Sequence, residues 1–246
     1  MKTIFIILII FTSNIYASYI DWNSKKGKEM FRRSISNDFF ELANHFIAQP
    51  NGIVCGPTTM SIVLNALFQK DNVINQRTEM NGIFKFSGDY NPTLKKYTPY
   101  NVINEKNSNI KSWEIIYGKK IKGKSDWGLQ LRQLHKLFLS YDVSSKIYVV
   151  KNIKKDINEF KRNAIKVLEN QNDFIVVNYR RSEVNQKGSG HISPIASYDK
   201  QTDSFLVMDV NPTKYPWAWI KAKDLIKSMG TFDTNENRGY LIITKK

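Results

Sequence analysis

Cys55, His191 and Asp209 are the residues of this 246-residue chain whose types and placement could together carry acyl transfer. Cys55 is the single cysteine, and it stands where the turn signal Gln49-Pro50-Asn51-Gly52 gives way to a helical pattern. In that pattern Met60, Val63, Leu64 and Leu67 recur with helical spacing, and Pro57 suits a first-turn position. A thiol at a helix start is pushed toward thiolate by the partial positive charge of the helix end. A histidine can hold that thiolate as an ion pair and later protonate the leaving group. An aspartate fixes the imidazole tautomer and stabilises its charged form. His191 opens one strand-like run and Asp209 closes the next, with a hairpin connection at 199–203 between them. Antiparallel pairing across such a hairpin would bring the two side chains together. Gln49, six residues before Cys55, offers an amide that could join the Cys55 backbone N–H in an oxyanion hole.

Each of these residues has an ordinary reading when taken alone. A lone cysteine is more often a small buried hydrophobe. A histidine within a strand is more often structural, and an aspartate at a strand end is usually a turn or cap residue. It is the combination of helix-start cysteine, hairpin-flanking His and Asp, and upstream glutamine that points to a papain-like thiol enzyme.

The elements that must position these residues divide along the chain. Residues 25–48 read as largely helical, with Phe39, Phe40, Leu42 and Phe46 spaced to bury one face. Residues 69 to about 123, rich in Asn, Lys, Gly and Tyr, read as loops and short elements. Helices are predicted over 127–141 and 154–170, with a short strand at 147–150 between them, and Ile157, Phe160, Ile165 and Leu168 as core positions of the latter helix. Runs at 174–179, 191–198, 204–210 and 240–244, rich in Val, Ile and aromatics, predict strands. Helices first and an antiparallel sheet second argue an α+β fold, with the nucleophile helix packed on a C-terminal sheet.

Hydrophobic residues make up 41% of the chain and aromatic ones 13%, enough for a buried core and against disorder. The opening MKTIFIILIIFTSNIYA has one lysine, an apolar run from Ile4 to Phe11 and a small-residue end at Ala17, the layout of a secretory signal peptide. An uncleaved anchor helix is the alternative, although the run is short for a bilayer. With residues 1–17 removed, residues 18–246 are expected to form a single catalytic domain, secreted or periplasmic and without a stable membrane anchor. The formal charge of +15 falls only to +14, because Lys2 is the one charged residue in that segment. No basic stretch is organised as a nucleic-acid motif, and KKIKGK at 119–124 reads as a solvated loop, so no nucleic-acid partner is expected.

Local sequence goes further than spacing. Gln49-Pro-Asn-Gly-Ile-Val-Cys55-Gly running into Met60-Ser-Ile-Val-Leu-Asn-Ala-Leu67 resembles the nucleophile segment of phytochelatin synthases. Asn178-Tyr179-Arg-Arg with Gly188-Ser-Gly-His-Ile-Ser-Pro-Ile195 is similar to their histidine block. Phe205-Leu-Val-Met-Asp209-Val, Lys214-Tyr-Pro-Trp217 and Arg238-Gly-Tyr-Leu-Ile-Ile243 follow in the family's order. The resemblance covers roughly 25–70 and 125–246, and the short prokaryotic members are the nearest match. It implies a papain-like fold acting on glutathione and related γ-glutamyl peptides. Cys55 would attack the carbonyl of the Cys–Gly bond, with His191 as acid/base, Asp209 as its orienting partner and Gln49 as oxyanion donor. Glycine would leave, and the γ-glutamylcysteinyl thioester would pass to water, the favoured outcome, or to a second glutathione. The resemblance also offers Asp233 and Arg238 for the γ-glutamyl end and Arg181 for a substrate carboxylate, and it implies a homodimer.

Departures from the family pattern lie outside the triad. They are an insertion at about 69–96, Pro57-Thr58-Thr59 after Cys55-Gly56, and bulky Trp217 and Trp219. They bear on the acyl acceptor and on peptide length. With no second cysteine, no cofactor and no thiolate metal site of the protein's own are expected. Activation by heavy metals such as cadmium would come through metal–thiolate complexes of the substrate. Two rival readings stay open: a papain-like peptidase cutting double-glycine leaders, and a catalytically idle binding protein.

Overall fold

The computed structural model describes residues 19–68 and 97–246. The expected leader at 1–17 and the expected insertion at about 69–96 lie outside the described residues. The described chain opens with a short strand, β1 (Tyr19–Asp21), followed by helices α1 (Lys25–Arg32) and α2 (Asn37–Asn44). Ser24 caps α1 by accepting from the Gly27 N–H. The pattern over 25–48 predicts one helical stretch; the structure breaks it at Ile35, whose N–H and C=O both pair with Tyr198. Those backbone groups serve the sheet and are lost to a continuous helix.

Helix α3 (Cys55–Phe68) follows, buried from Gly56 through Leu67. A helix buried all round belongs at the centre of a fold, and here it lies against the sheet. After α4 (Trp113–Ile116) comes α5 (Leu131–Leu139), which starts four residues later than the pattern from Trp127 suggests. Gly128 takes a left-handed φ of 68°, and Gln130 and Gln133 form a reciprocal capping box that fixes the start. The remaining elements are β2 (Val143–Val149), α6 (Ile153–Glu169), β3 (Asp173–Arg180), β4 (Gly190–Asp199), β5 (Ser204–Val207), β6 (Ala218–Lys221), α7 (Ala222–Met229) and β7 (Gly239–Lys245).

The seven strands form one sheet, ordered β1-β6-β5-β4-β3-β7-β2, in which every neighbouring pair is antiparallel. Period-2 alternation divides β3 between two cores. Phe174 and Val176 pack with Met60, Val63, Leu64 and Leu134 on the side of α3 and α5. Ile175, Val177 and Tyr179 pack with Phe160, Leu168, Leu225 and Met229 on the side of α6 and α7. Because both faces are covered, Phe-Ile-Val-Val reads in the sequence as an unbroken apolar run. The fold is therefore α+β, with the helix that begins at Cys55 on one face of an antiparallel sheet.

Candidate active site

Cys55 is the first residue of α3, and Gly56 lets the helix start lie close to the neighbouring wall. A Cβ at Gly56 would stand 2.9 Å from Leu129 Cδ1. Thr59 Oγ1 donates to the Ile192 carbonyl at 3.0 Å, which ties α3 to the strand that carries His191. Pro57, Thr58 and Thr59 are buried.

His191 is the second residue of β4, and Asp209 lies two residues beyond the end of β5. The β4–β5 ladder pairs Ile195 with Val207, a register that extrapolates His191 opposite Asn211 rather than Asp209. After Met208 the chain turns instead, with the Asn211 N–H donating to Asp209 Oδ1 at 2.8 Å. The result brings Oδ1 to 2.8 Å from His191 Nε2. Nε2 faces Asp209, which leaves Nδ1 for the Cys55 thiol. The Tyr179 ring packs edge-on against the imidazole at 5.7 Å, from the position directly across the β3–β4 ladder.

A cleft of about 450 Å³ opens above this group. Cys55, His191 and Ile192 line one part, the 125–129 segment and Gly52 line another, and Asn178, Gly190, Asp233 and Arg238 line the rest. Arg238 and Asp233 form an ion pair at 2.8 Å, and Asn178 Nδ2 donates to the other Asp233 oxygen at 3.1 Å. Arg238 is further held by Thr231 Oγ1 and the Phe232 carbonyl, while its buried Nε has no partner among the described residues. Gly190 sits against this guanidinium, since a Cβ there would meet Nη2 at 3.0 Å. The two walls are joined beneath by Asn235 donating to Gln130 and by a bidentate Arg132–Glu236 pair. Buried Lys111 bonds to Asp126 at 2.7 Å and steadies the 125–129 wall.

The sequence-predicted residues therefore divide. Cys55, His191, Asp233 and Arg238 share the cleft, with Asp209 directly behind His191. Gln49 does not line the cleft: its amide nitrogen donates to the Asn51 carbonyl, and its buried Oε1 has no partner among the described residues. Arg181 does not line it either. Its guanidinium lies on Asp209, with Nη1 2.6 Å from Oδ2 and Nη2 donating to Oδ1 at 2.9 Å. Asn178 and Lys111 were not anticipated as site residues. Asn178 carries a signal, being a buried polar residue inside an apolar strand; Lys111 carries none. Among the described residues, no group of three or more His, Cys, Asp or Glu side chains could hold a metal ion.

This geometry coincides with a match to phytochelatin synthase over residues 11–240. The chain belongs to the phytochelatin synthase family. Similar curated proteins include glutathione gamma-glutamylcysteinyltransferase 1 of Arabidopsis thaliana, 26% identical over 92% of this chain and 42% of that protein. Glutathione gamma-glutamylcysteinyltransferase 3 of Lotus japonicus is 27% identical over 92% of this chain and 42% of its own length. The glutathione gamma-glutamylcysteinyltransferase of Schizosaccharomyces pombe is 22% identical over 90% and 48%. The chain thus spans less than half the length of these relatives.

In this phytochelatin synthase family member, the electrostatics of the site follow from its packing. Burial is the largest influence on the Cys55 thiol and pushes it up, but the bond to and charge of His191, the Ile192 backbone and Arg181 together hold it below its ordinary value. Burial disfavours the charged His191 ring, yet the Asp209 carboxylate and Cys55 outweigh that and hold it above. Burial raises Asp209 in turn, and His191 and Arg181 pull its carboxyl below the ordinary range. The packing thus favours the charged forms of Cys55 and His191 with a carboxylate behind them, and a thiolate–imidazolium pair of that kind can attack a carbonyl and return a proton to a leaving amine.

Proposed function

We propose that this chain is a cysteine transpeptidase and peptidase that cleaves the Cys–Gly amide of glutathione and related γ-glutamyl peptides. The observation that carries the reading is a thiol coupled to His191 in a cleft that also holds Arg238, whose buried Nε lacks a partner among the described residues, beside Asp233 and Asn178. A γ-glutamyl end presents a carboxylate and an ammonium, and a guanidinium beside a carboxylate complements both. The cleft volume suits a ligand of this size.

In the proposed reaction Cys55 Sγ adds to the carbonyl carbon, and the oxyanion meets the Cys55 backbone N–H. The second N–H of the Gln49 amide joins it once the side chain turns toward the cleft. His191 gives its Nδ1 proton to the glycine nitrogen as the C–N bond breaks, and glycine leaves as the amine. The γ-glutamylcysteinyl thioester remains on Cys55. Neutral His191 then takes a proton from the attacking water or from the amino group of a second glutathione, and the thiolate is released. Water is the favoured acceptor, giving γ-glutamylcysteine. Heavy metals such as cadmium enter as thiolate complexes of the substrate. We further propose that the protein is exported by its leader and works as a homodimer.

Mass spectrometry of the purified protein with reduced glutathione, with and without cadmium and beside Cys55→Ala, tests this reading. Glycine and γ-glutamylcysteine are expected from the wild type alone, with longer γ-glutamylcysteine oligomers if glutathione also serves as acceptor. A folded protein that releases no glycine and forms no Cys55 adduct would overturn it in favour of a peptidase of other specificity.

A further inference from the structure

Arg181 lies at the start of a single 3₁₀ turn, Arg181–Val184, that follows β3, and it is 3% exposed. The chain folds over it. Its N–H donates to the Ser189 carbonyl, and its carbonyl accepts from the Gln186 N–H. The guanidinium reaches both Asp209 oxygens, donates to Gln186 Oε1 at 2.8 Å, and lies 5.0 Å over the Tyr215 ring. Gly188, at φ 128°, packs on its stem; a Cβ there would stand 3.2 Å from Arg181 Cδ and 3.0 Å from Lys214 Nζ. A guanidinium enclosed in this way is positioned to act on other protein groups rather than on a ligand in the cleft.

Four groups then lie together, His191, Asp209 and Arg181 buried and Cys55 half-buried: Asp209 touches both His191 and Arg181, and the Cys55 thiol is pulled toward its charged form by His191 and Arg181. Buried charges persist only when they are compensated. The other titratable groups facing this cluster are Tyr179 from β3, Tyr215 and Lys214. Burial raises Tyr179 well above its ordinary value and keeps it a neutral phenol. We propose that Arg181 is a positioning residue that completes this charge balance, holding Asp209 on His191 and keeping Cys55 ionised at acidic to neutral pH.

The inference rests on Cys55 being the nucleophile, but not on glutathione being its substrate. Removing the guanidinium charge makes every proton on the cluster bind more tightly. The acid limb of thiolate formation therefore moves to higher pH. The experiment is the rate of Cys55 alkylation by iodoacetamide in the full chain across pH 4–9, together with kcat and KM for glutathione. Arg181→Met is expected to move the acid limb up by about one pH unit or more, so that alkylation on that limb is about tenfold slower or worse. Arg181→Lys, which keeps the charge but cannot bridge both oxygens, is expected to leave the limb in place while lowering kcat.

A folded Arg181→Met protein whose profile superimposes on the wild type overturns the proposal. So does a raised KM with limb and kcat unmoved, which would return Arg181 to substrate binding. If Arg181→Met does not fold, Asp209→Asn is compared with Arg181→Met/Asp209→Asn, which leaves no orphaned carboxylate. A higher limb in the double variant supports the proposal, and coincident limbs overturn it. Alkylation needs no glutathione, so a displaced limb without turnover sustains the role of Arg181 and sinks only the substrate reading.

Discussion

Two buried carboxyls at opposite ends of this fold have contrasting fates. Asp209 is 1% exposed and sits between His191 and Arg181, which hold it below the ordinary carboxylate range against the effect of burial. Asp38, in the first turn of α2, is 3% exposed, and its Oδ2 has no hydrogen bond among the described residues. Burial is the largest influence on Asp38 too, but its charged neighbours are Asp173 and Glu41, and the carboxyl is pushed up to about 9. Depth in the protein is nearly the same; the sign of the neighbouring charge is opposite. Burial sets the scale of a perturbation, and the neighbours decide its direction.

The largest expected effect comes from breaking the paired side of this contrast. Asp209→Asn keeps the shape and removes the charge, and kcat for glutathione cleavage should fall by about 10³-fold or more, as measured by glycine release. Its effect on stability should lie on the acid side. A carboxyl with a lowered folded value contributes stability above its unfolded value, near 4, and loses it as pH falls through the folded value. Urea unfolding at a series of pH values should therefore show a shallower loss below pH 4 in the variant.

Asp38 should behave in the opposite sense. Between its unfolded value near 4 and about 9, the folded protein holds a proton that the unfolded chain has released. Stability should decline by up to about 1.4 kcal/mol per pH unit across that window. Asp38→Asn should flatten the decline and raise Tm at pH 8 more than at pH 5, with glycine release unchanged. Equal gains at both pH values would show that Asp38 does not titrate there.

The smallest effect should come from an ion pair outside both clusters. Arg132, whose side chain is 52% exposed, bridges Glu236 across the foot of the cleft. Arg132→Ala should cost only about 0.2–1 kcal/mol in urea unfolding, less at high salt. A larger loss, or a rise in KM, would show that this pair holds the cleft walls at their spacing.

How much of this was legible varies by element. The helix at Cys55, the helix ending near Glu169 and strands β3, β4 and β7 were readable because their apolar periods are long. Strand β1 is only three residues long and β6 only four, and β6 runs from Lys221 directly into α7 at Ala222 with no turn residue between them. There a two-residue period gives way to a helical one too quickly for either to be seen. The break at Ile35 was hidden because its cause, pairing with Tyr198, lies far along the chain.

The sequence alone determined the chemical cast: a thiol at a helix start, with a histidine and an aspartate on consecutive runs that a hairpin brings together. Those features are local, set by spacing, turn residues and apolar period. Only the tertiary structure decided what surrounds each charge. It turned the chain after Met208 so that Asp209, and not the residue opposite in register, meets His191. It also buried Arg181 on that aspartate and set Arg238 and Asn178 on the cleft wall. Charge in a protein interior depends on which groups lie within a few ångströms and how much water is excluded, and residues far apart in the chain supply both.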